Sequence, residues 1–564
     1  MRTFSKLFLL ILSFLLISFF NITQAQRDPV RGRNGMVVTE EKIATQVGLE
    51  ILKKGGNAVD AAVAIGFTLA VTYPSAGNLG GGGFMVIHLA KGNNITIDFR
   101  EKAPLAASKN MYIDANGNVN SDLSLFGGSS AGIPGSVAGL LYALDTYGTM
   151  KISEVIQPAI DLAVNGFELD YHLAESLENE LKYFEQFPSS LKVFTKNGEV
   201  YKEGDIIKQP DLGKTLTLIR DFKSDGFYSG EISNLLIKQI NSTGGNVSQK
   251  DFDEYNVVER EPITSSYRGY DVVSMGPPSA GGLVLSLLLN ILENESFSLE
   301  QWGSSKYIRL VAEAMKYAYL QRSYAIGDED FFPVDKERLT SKIFAKEIFN
   351  KIISSVTSSA ELQDLMIEQK PESFETTHYS VCDKYGNAVS TTTTINSSFG
   401  SKMIVDGAGF LLNNEMDDFS SKPGSPNQFG LIGSVANSIE AGKRMLSSMT
   451  PTIVLKNNKP FLILGAPGGS TITTAVLQVL INCIDFDMDI QRAIDLPRFH
   501  HQFLPDEINF EYFGAAEDVK DNLRSFGFTI GKNITIGRVE GILIKDNIMY
   551  GAADPRGHGI AIGF

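Results

Sequence analysis

Cysteine is nearly absent from this chain, which has 564 residues but only Cys382 and Cys483. One disulfide is possible, but both residues lie in apolar segments, so two buried free thiols are an equally good interpretation. The fold therefore cannot depend on a disulfide framework. Histidine is also scarce, and its six positions include no pair at the i, i+3 or i, i+4 spacing of metal ligands. We expect neither a metal nor another cofactor.

Runs of basic residues are missing as well. The formal net charge is −15 and the sequence pI is about 5.0, which argues against nucleic acid as a partner because phosphate binding needs a basic face. The glycine run Gly80–Gly83 lacks the following Lys-Ser/Thr of a phosphate-binding loop. No Gly-x-Ser-x-Gly elbow stands between a strand and a helix, so a Ser-His-Asp hydrolase is not favoured.

The N-terminus has the order of a secretory signal peptide. Arg2 and Lys6 precede an almost wholly apolar run from Leu7 to Phe20, and small residues follow at Thr23 and Ala25. The apolar run is short for a membrane span, although an uncleaved anchor is the alternative. No cysteine follows it, which argues against a lipoprotein. We expect residues 1–25 to be removed and the mature protein to be periplasmic or extracellular, with no stable membrane span.

The remaining sequence alternates helical and strand patterns, which predicts a layered α/β body. Helices are predicted near 41–54, 60–71, 136–148, 281–293, 304–322 and 470–484. Thr377–Asp383 and Ala388–Asn396 predict a β-hairpin around a Lys-Tyr-Gly-Asn turn, and its first residue would be Thr376. A second hairpin is predicted near the C-terminus.

Several segments after residue 370 are candidates for chemistry, although each alone could be an ordinary strand, turn or loop. They are Glu375-Thr-Thr-His-Tyr-Ser380, Thr394-Ile-Asn396, Asn413-Asn-Glu-Met-Asp-Asp418, Ser447-Ser-Met-Thr-Pro451 and Gly465-Ala-Pro-Gly-Gly-Ser470. In this order, and together with Asp98-Phe-Arg-Glu101 and Pro497-Arg-Phe-His-His501, they resemble the γ-glutamyltransferases of the N-terminal nucleophile hydrolase superfamily. The resemblance runs from about residue 35 to 564. It implies an αββα sandwich built jointly by two fragments of one precursor.

The resemblance implies that Thr376 is the nucleophile. A threonine hydroxyl needs a base to take its proton, and an α-amino group, with an ordinary pKa of about 7.7–8.0, titrates near working pH. Thr376 has such an amine only if the Glu375–Thr376 bond is cut. By resemblance the precursor cuts itself there, and fragments 26–375 (large) and 376–564 (small, catalytic) stay associated as a heterodimer. The matching family residue makes Thr394 a partner of the nucleophile's hydroxyl.

The same resemblance implies a clamp for the γ-glutamyl head group. Arg100, Ser447 and Ser448 would bind its α-carboxylate, for which a guanidinium fork is well shaped. Asp418, assisted by Glu415, would bind its α-ammonium, and Asn396 would contact the glutamate. Some bacterial members carry Gln in place of Glu415. Asp417 is a rival for Asp418, and only the alignment with the family favours Asp418.

The backbone N–H groups of Gly468 and Gly469 match the family's oxyanion pair, and a following helix would add its dipole. Residues 421–434 resemble the lid loop of bacterial members, several of which have Tyr where this chain has Phe429. Glutathione is the family's usual donor, and water or an amino acid or peptide is the acceptor. One alternative is a related amidase of the glutaryl or cephalosporin acylase type, for which an ammonium clamp would be pointless. The other is a secreted binding protein that is never cut.

Overall fold

The computed structural model describes residues 27–362 and 376–564. The expected signal peptide and Glu375 lie outside the described residues. Among the described helices, none combines the length and the apolar character that a membrane span needs. Cys382 and Cys483 are free thiols, each buried in the apolar interior, and burial raises the pKa of both. Of the two interpretations of the cysteines, the structure has the free thiols.

The strands of the described residues are numbered in chain order. They are β1 (Val30–Gly32), β2 (Gly35–Thr39), β3 (Gly82–His88), β4 (Asn94–Asp98), β5 (Phe167–Glu168), β6 (Thr195–Lys196), β7 (Glu199–Val200), β8 (Ile206–Ile207), β9 (Val258–Arg260), β10 (Ile263–Tyr267), β11 (Tyr270–Ser274), β12 (Thr376–Asp383), β13 (Ala388–Thr394), β14 (Thr452–Lys456), β15 (Lys459–Gly465), β16 (Phe499–His500), β17 (Ile508–Phe510), β18 (Ile530–Asn533), β19 (Glu540–Lys545), β20 (Ile548–Ala552) and β21 (Ile560–Gly563).

The α-helices are given by their bounds. They span Lys42–Lys53, Ala58–Thr72, Ser121–Leu125, Ser136–Tyr147, Ile152–Val155, Gln157–Asn165, Tyr171–Phe184, Pro188–Phe194, Pro210–Phe222, Asp225–Tyr228, Gly230–Ser242, Gln249–Asp253, Gly281–Leu292, Ser305–Ala325, Lys336–Thr340, Lys342–Ile352, Ser359–Leu362, Ile472–Ile484, Ile490–Asp495 and Glu517–Ser525. The predicted helices are all present with shifted ends. Two starts shift by two residues: the helix expected from residue 60 begins at Ala58, and the helix expected from residue 470 begins at Ile472 after a 3₁₀ turn.

Two antiparallel sheets form the centre of the fold. The first has the strand order β21-β2-β12-β13-β3-β4-β9, and the second has the order β1-β20-β19-β15-β14-β11-β10. Apolar side chains from both sheets, among them Val38, Val86, Ile453 and Ile542, form a core between them. Both sheets combine strands from before and after residue 376, so the two expected fragments share one core.

Helices cover the outer faces of both sheets. Lys42–Lys53 and Ala58–Thr72 pack on the first sheet, while Gly281–Leu292 and Ile472–Ile484 pack on the second. The layers therefore follow the order αββα, and the predicted sandwich is confirmed. Helix Ala58–Thr72 begins with a capping box in which Asn57 accepts from the Asp60 N–H and Asp60 accepts from the Asn57 N–H. The helix contacts β12, and the Ala58 N–H donates to Oδ2 of Asp383 at the end of that strand at 3.1 Å.

Candidate active site

Strand β12 begins at Thr376 and holds it next to Thr394. The two residues are direct partners in the β12–β13 ladder, and the Thr376 hydroxyl donates to Thr394 Oγ1 at 3.4 Å. Thr394 Oγ1 also accepts from the Asn396 N–H at 2.7 Å. Asn396 has a φ of 74°, a left-handed conformation that asparagine tolerates better than most residues. The chain thus turns sharply just beyond Thr394 and keeps Asn396 beside it.

Arg100 lies two residues after β4 and is fully buried. Its Nη1 is 2.7 Å from Glu415 Oε2, and its Nη2 is 2.5 Å from Asp418 Oδ2. Glu101 approaches the same guanidinium at 3.4 Å. One arginine therefore ties the chain after β4 to residues more than three hundred positions further along.

A 3₁₀ turn over Glu415–Asp418 explains which acidic residues reach Arg100. In a 3₁₀ helix the side chains at i and i+3 are eclipsed, so Glu415 and Asp418 share one face. Asp417 lies on another face, where its two oxygens accept from the Ser124 hydroxyl at 2.7 Å and from the Gln428 N–H at 3.1 Å. Of the two rival aspartates, Asp418 is the one beside Arg100.

Buried carboxylates outnumber the cations at this cluster. Burial raises the pKa of Glu101 to about 7, against the opposing charge of Arg100. Burial also raises the pKa of Glu415 well above its ordinary value, with Arg100 again opposing and with Glu101 and Asp418 adding to the rise. Burial disfavours the charge on Arg100 too, but Glu415, Glu101 and Asp418 together raise its pKa. A cation such as an ammonium group beside these carboxyl groups would favour their ionised form and would in turn be bound by them.

Ser447 and Ser448 are buried in the segment that leads into β14. Ser447 Oγ accepts from the Met449 N–H at 3.2 Å. Ser448 Oγ accepts from Arg322 Nε at 3.2 Å. A hydroxyl that accepts one bond keeps its own hydrogen to donate, so both serines can donate to an anion.

Gly468 and Gly469 form the turn that precedes helix Ile472–Ile484. Their φ angles are 135° and 52°, which favour glycine. A Cβ on Gly469 would lie 2.8 Å from Cδ1 of the Phe429 ring, and one on Gly468 would lie 2.7 Å from Thr471 Oγ1. The close approach of backbone to ring explains why this position requires glycine.

The loop expected to be a lid is tied to the acidic cluster. Asn427 donates through Nδ2 to Asp418 at 3.2 Å and accepts from the N–H groups of Phe429 and Leu431. Gln502 Nε2 donates to the Phe429 carbonyl at 3.4 Å. The Phe429 ring thus covers Gly469 without needing a hydroxyl to hold it there.

Most of the candidate residues line one pocket. Ten of its lining residues were candidates from the sequence: Arg100, Thr376, Thr394, Asn396, Glu415, Asp418, Phe429, Ser447, Ser448 and Gly469. Gly468 lies one residue behind Gly469. The lining also includes Arg322, Leu431, Met449 and Ile472, which were not predicted. The sequence shows Arg322 only as a charged residue in a predicted helix, and no motif places it in the pocket.

The pocket combines charged side chains of both signs with the hydroxyl-bearing residues Thr376, Thr394, Ser447 and Ser448. Glu415 and Asp418 pair with Arg100, and Arg322 donates to Ser448. Among the described residues, no group of three or more His, Cys, Asp or Glu side chains could hold a metal ion.

Comparison with known proteins gives one family along almost the whole chain. A family model described as gamma-glutamyltranspeptidase matches residues 44–564. The glutathione hydrolase proenzyme of Escherichia coli (strain K12) is 46% identical over 531 residues, which cover 94% of this chain and 91% of that protein. The glutathione hydrolase proenzyme of Pseudomonas sp. (strain A14) is 43% identical over 580 residues, which cover 100% of both.

Solved structures agree with these matches. The cephalosporin acylase from Bacillus halodurans superimposes with a TM-score of 0.83 at 25% identity, covering 96% of this chain and 98% of that one. The gamma-glutamyltranspeptidase of Helicobacter pylori superimposes with a TM-score of 0.55 at 48% identity, covering 55% of this chain and 90% of that one.

Proposed function

The chain belongs to the γ-glutamyltranspeptidase family, and we propose that Thr376 is the residue on which its chemistry depends. Like its relatives, which are glutathione hydrolase proenzymes, the chain is an autoprocessed γ-glutamyltransferase with glutathione hydrolase activity. The observation that carries this assignment is that Thr376 lines the same pocket as Arg100, Glu415 and Asp418.

The first reaction is self-cleavage. The Thr376 hydroxyl oxygen adds to the carbonyl carbon of Glu375, the carbon–nitrogen bond breaks, and an ester forms between Glu375 and Thr376. Water then hydrolyses the ester, which leaves a carboxylate on Glu375 and a free amine on Thr376. The products are fragments 26–375 and 376–564. Both central sheets contain strands from both fragments, so separating the fragments would expose the core between the sheets. This supports an association of the two fragments after the cut.

The second reaction uses the new amine as its base. The amine takes the Thr376 hydroxyl proton while the oxygen attacks the γ-carbonyl of the donor. The backbone N–H groups of Gly468 and Gly469 stabilise the oxyanion. The leaving amine takes a proton as the bond to the γ-carbon breaks, and a γ-glutamyl ester remains on Thr376. Water then releases glutamate, or the amine of an amino acid or peptide receives the γ-glutamyl group.

The head group of the donor is held by opposite charges. Asp418 and Glu415 accept from the α-ammonium, and the ammonium favours their ionised form beside Arg100. Arg100, Ser447 and Ser448 donate to the α-carboxylate, and Asn396 contacts the glutamate backbone. Thr394 orients the nucleophile's hydroxyl. Glutathione is the proposed donor because it carries this head group, and the family relatives hydrolyse it.

The proposed location is outside the cytoplasm. An N-terminal basic start, a short apolar run and small residues before position 26 support export across the inner membrane. A periplasmic or extracellular enzyme would meet glutathione and acceptor amino acids there.

The second candidate function is an amidase of the cephalosporin acylase kind, which the structural likeness to the Bacillus halodurans enzyme favours. The acidic pair Glu415 and Asp418 argues against it, because a glutaryl side chain has no amine for them to bind. An uncut binding protein would need neither Thr376 nor the cut.

The test of the proposal is the N-terminal sequence of the smaller fragment of purified protein. We expect it to begin Thr376-Thr-His-Tyr. Thr376→Ala should stay one chain and release no aniline from a γ-glutamyl anilide. Thr377→Ala is the matched control, since Thr377 is the neighbouring buried threonine, and it should be cut and active. A wild-type chain that stays whole, or a fragment that begins elsewhere, would overturn the mechanism.

A further inference from the structure

Helix Ser305–Ala325 carries two side chains into the active site from the large fragment. Tyr319 and Arg322 are three positions apart and therefore share one face of the helix. The Tyr319 hydroxyl donates to the Ser470 carbonyl, next to Gly469. Arg322 Nε donates to Ser448 Oγ at 3.2 Å, and Arg322 lines the pocket. One helix face thus reaches both the glycine turn and the serine pair.

Arg322 differs from the other buried arginines of the site in its charge partners. Arg100 is paired with Glu415 and Asp418, but Arg322 forms no ion pair with a carboxylate of residues 27–362 or 376–564. Its side chain is nonetheless buried, and burial lowers its pKa, with Tyr319 and Asp418 opposing. Buried charges are normally paired. A buried guanidinium at a pocket wall that lacks a carboxylate has the capacity to bind an incoming anion.

We propose that Arg322 is a specificity-determining residue for the α-carboxylate of the donor. Its Nε–H occupies a lone pair of Ser448 Oγ and so turns the serine's own hydrogen toward the substrate. Its terminal nitrogens supply the positive charge that the carboxylate meets on this wall. The two terminal nitrogens of Arg100 already contact carboxylates. With Arg322 present, Arg100 is not the only cation that binds the α-carboxylate of the substrate. This inference rests on the proposed γ-glutamyl chemistry.

Three substitutions separate the two contributions of Arg322. In Arg322→Gln the amide nitrogen is as many bonds from the backbone as Nε, so a donor to Ser448 can remain while the charge is lost. Arg322→Lys keeps a charge but places carbon where Nε was. Arg322→Met removes both and keeps an unbranched side chain. All three avoid putting a carboxylate or a cavity of large volume in the wall.

Two donors provide the readout. A γ-glutamyl anilide carries the α-carboxylate, whereas a γ-aminobutyryl anilide has the same acyl chain and amine without it. For Arg322→Met we expect kcat/KM on the γ-glutamyl anilide to fall about 10- to 150-fold, the range for a hydrogen bond to a charged group. On the γ-aminobutyryl anilide we expect a change of less than about threefold. Arg322→Gln and Arg322→Lys should each lose less than Arg322→Met.

The proposal is overturned if Arg322→Met loses the same factor on both donors, which would indicate a structural role, or loses nothing on either. Arg309→Met is the control for the chemical change, because Arg309 lies on the same helix and donates to the carbonyls of Ile352 and Ile353 at the surface. It should leave the ratio between the donors unchanged. If Arg322→Met yields no cut protein, the test uses Arg322→Gln and Arg322→Lys instead. The same ratio of kcat/KM between the two donors is then measured for these variants. A wild-type protein that is uncut or inactive on both donors refutes the proposed function instead.

Discussion

Replacing Asp418 by Asn tests the ammonium clamp directly. The change removes one negative charge but keeps the side-chain shape and an acceptor oxygen for Arg100 or Asn427. A hydrogen bond between charged groups contributes about 1.5–3 kcal/mol, which corresponds to about 10- to 150-fold in kcat/KM. Coulomb attraction at about 3 Å with an effective dielectric constant of about 20 gives an upper value of roughly 5.5 kcal/mol.

We expect the loss of kcat/KM to fall within the hydrogen-bond range and below the Coulomb value. The reason is that the Asp418 side chain is 14% exposed and that Glu415 remains to bind the ammonium. We expect kcat/KM on a γ-glutamyl anilide to fall about 100-fold. A glutaryl anilide keeps the α-carboxylate but lacks the amine, so its kcat/KM should change by less than about threefold. The assay measures release of the aniline from both donors at pH 7 to 8 with matched amounts of cut enzyme.

Asp417→Asn is the matched control for this experiment. It makes the same chemical change one residue earlier, at a side chain that accepts from Ser124 and Gln428 rather than from Arg100. It should leave the ratio between the two donors near its wild-type value. Equal losses of Asp418→Asn on both donors, or a larger change of the ratio in Asp417→Asn, would refute the assignment of the ammonium to Asp418.

Three further predictions concern the nucleophile, the glycine turn and the buried acid. Thr394→Val keeps the branched shape but removes the oxygen that accepts from Thr376 and from the Asn396 N–H; kcat should fall at least about tenfold, measured as single-turnover acylation. Gly469→Ala, at a φ of 52° with its Cβ 2.8 Å from the Phe429 ring, should lower kcat about 100- to 1,000-fold as an oxyanion donor is displaced, while the chain still folds. Burial raises the pKa of Glu101 from 4.5 to about 7, so the native state holds a proton there that the unfolded state has lost, and stability declines as pH rises through this window. Glu101→Gln should therefore lose less stability than wild type between pH 5 and pH 8 in urea unfolding; an identical decline in both would contradict this.

The helices and hairpins were predictable because their signals are local. The hairpin of β12 and β13 follows from alternating side chains around a four-residue turn, and the helix before Gly55 follows from its periodicity. Its cap is also local, since Glu41 accepts from the N–H groups of Ile43 and Ala44. The ends of elements were less well predicted. The 3₁₀ turn at Gly469–Thr471 is an example, since it depends on backbone angles that glycine can adopt but that its presence in the sequence does not predict.

The composition of the pocket could not be derived from local signals. Its residues lie between positions 100 and 472, and only the resemblance to a family brought ten of them together before the structure did. The choice between Asp417 and Asp418 needed the 3₁₀ turn, which separates adjacent side chains and aligns Glu415 with Asp418. Arg322 escaped notice for a different reason. On a helix, an arginine in sequence is indistinguishable from a surface charge until the neighbouring chain that buries it is known.

The pairing of β12 supports the proposal that the Thr376 hydroxyl serves both self-cleavage and catalysis. On the side of β13 the strand is paired from Thr376 to Cys382, so Thr376 is already held opposite Thr394 in the uncut chain. On the other side β2 pairs with β12 from Tyr379 to Asp383 within the described residues. The first residues of β12 are therefore fixed from one side and open on the other. The proposed cut would change the nitrogen of Thr376 from an amide to an amine while the pairing of β12 with β13 still held Thr376 opposite Thr394.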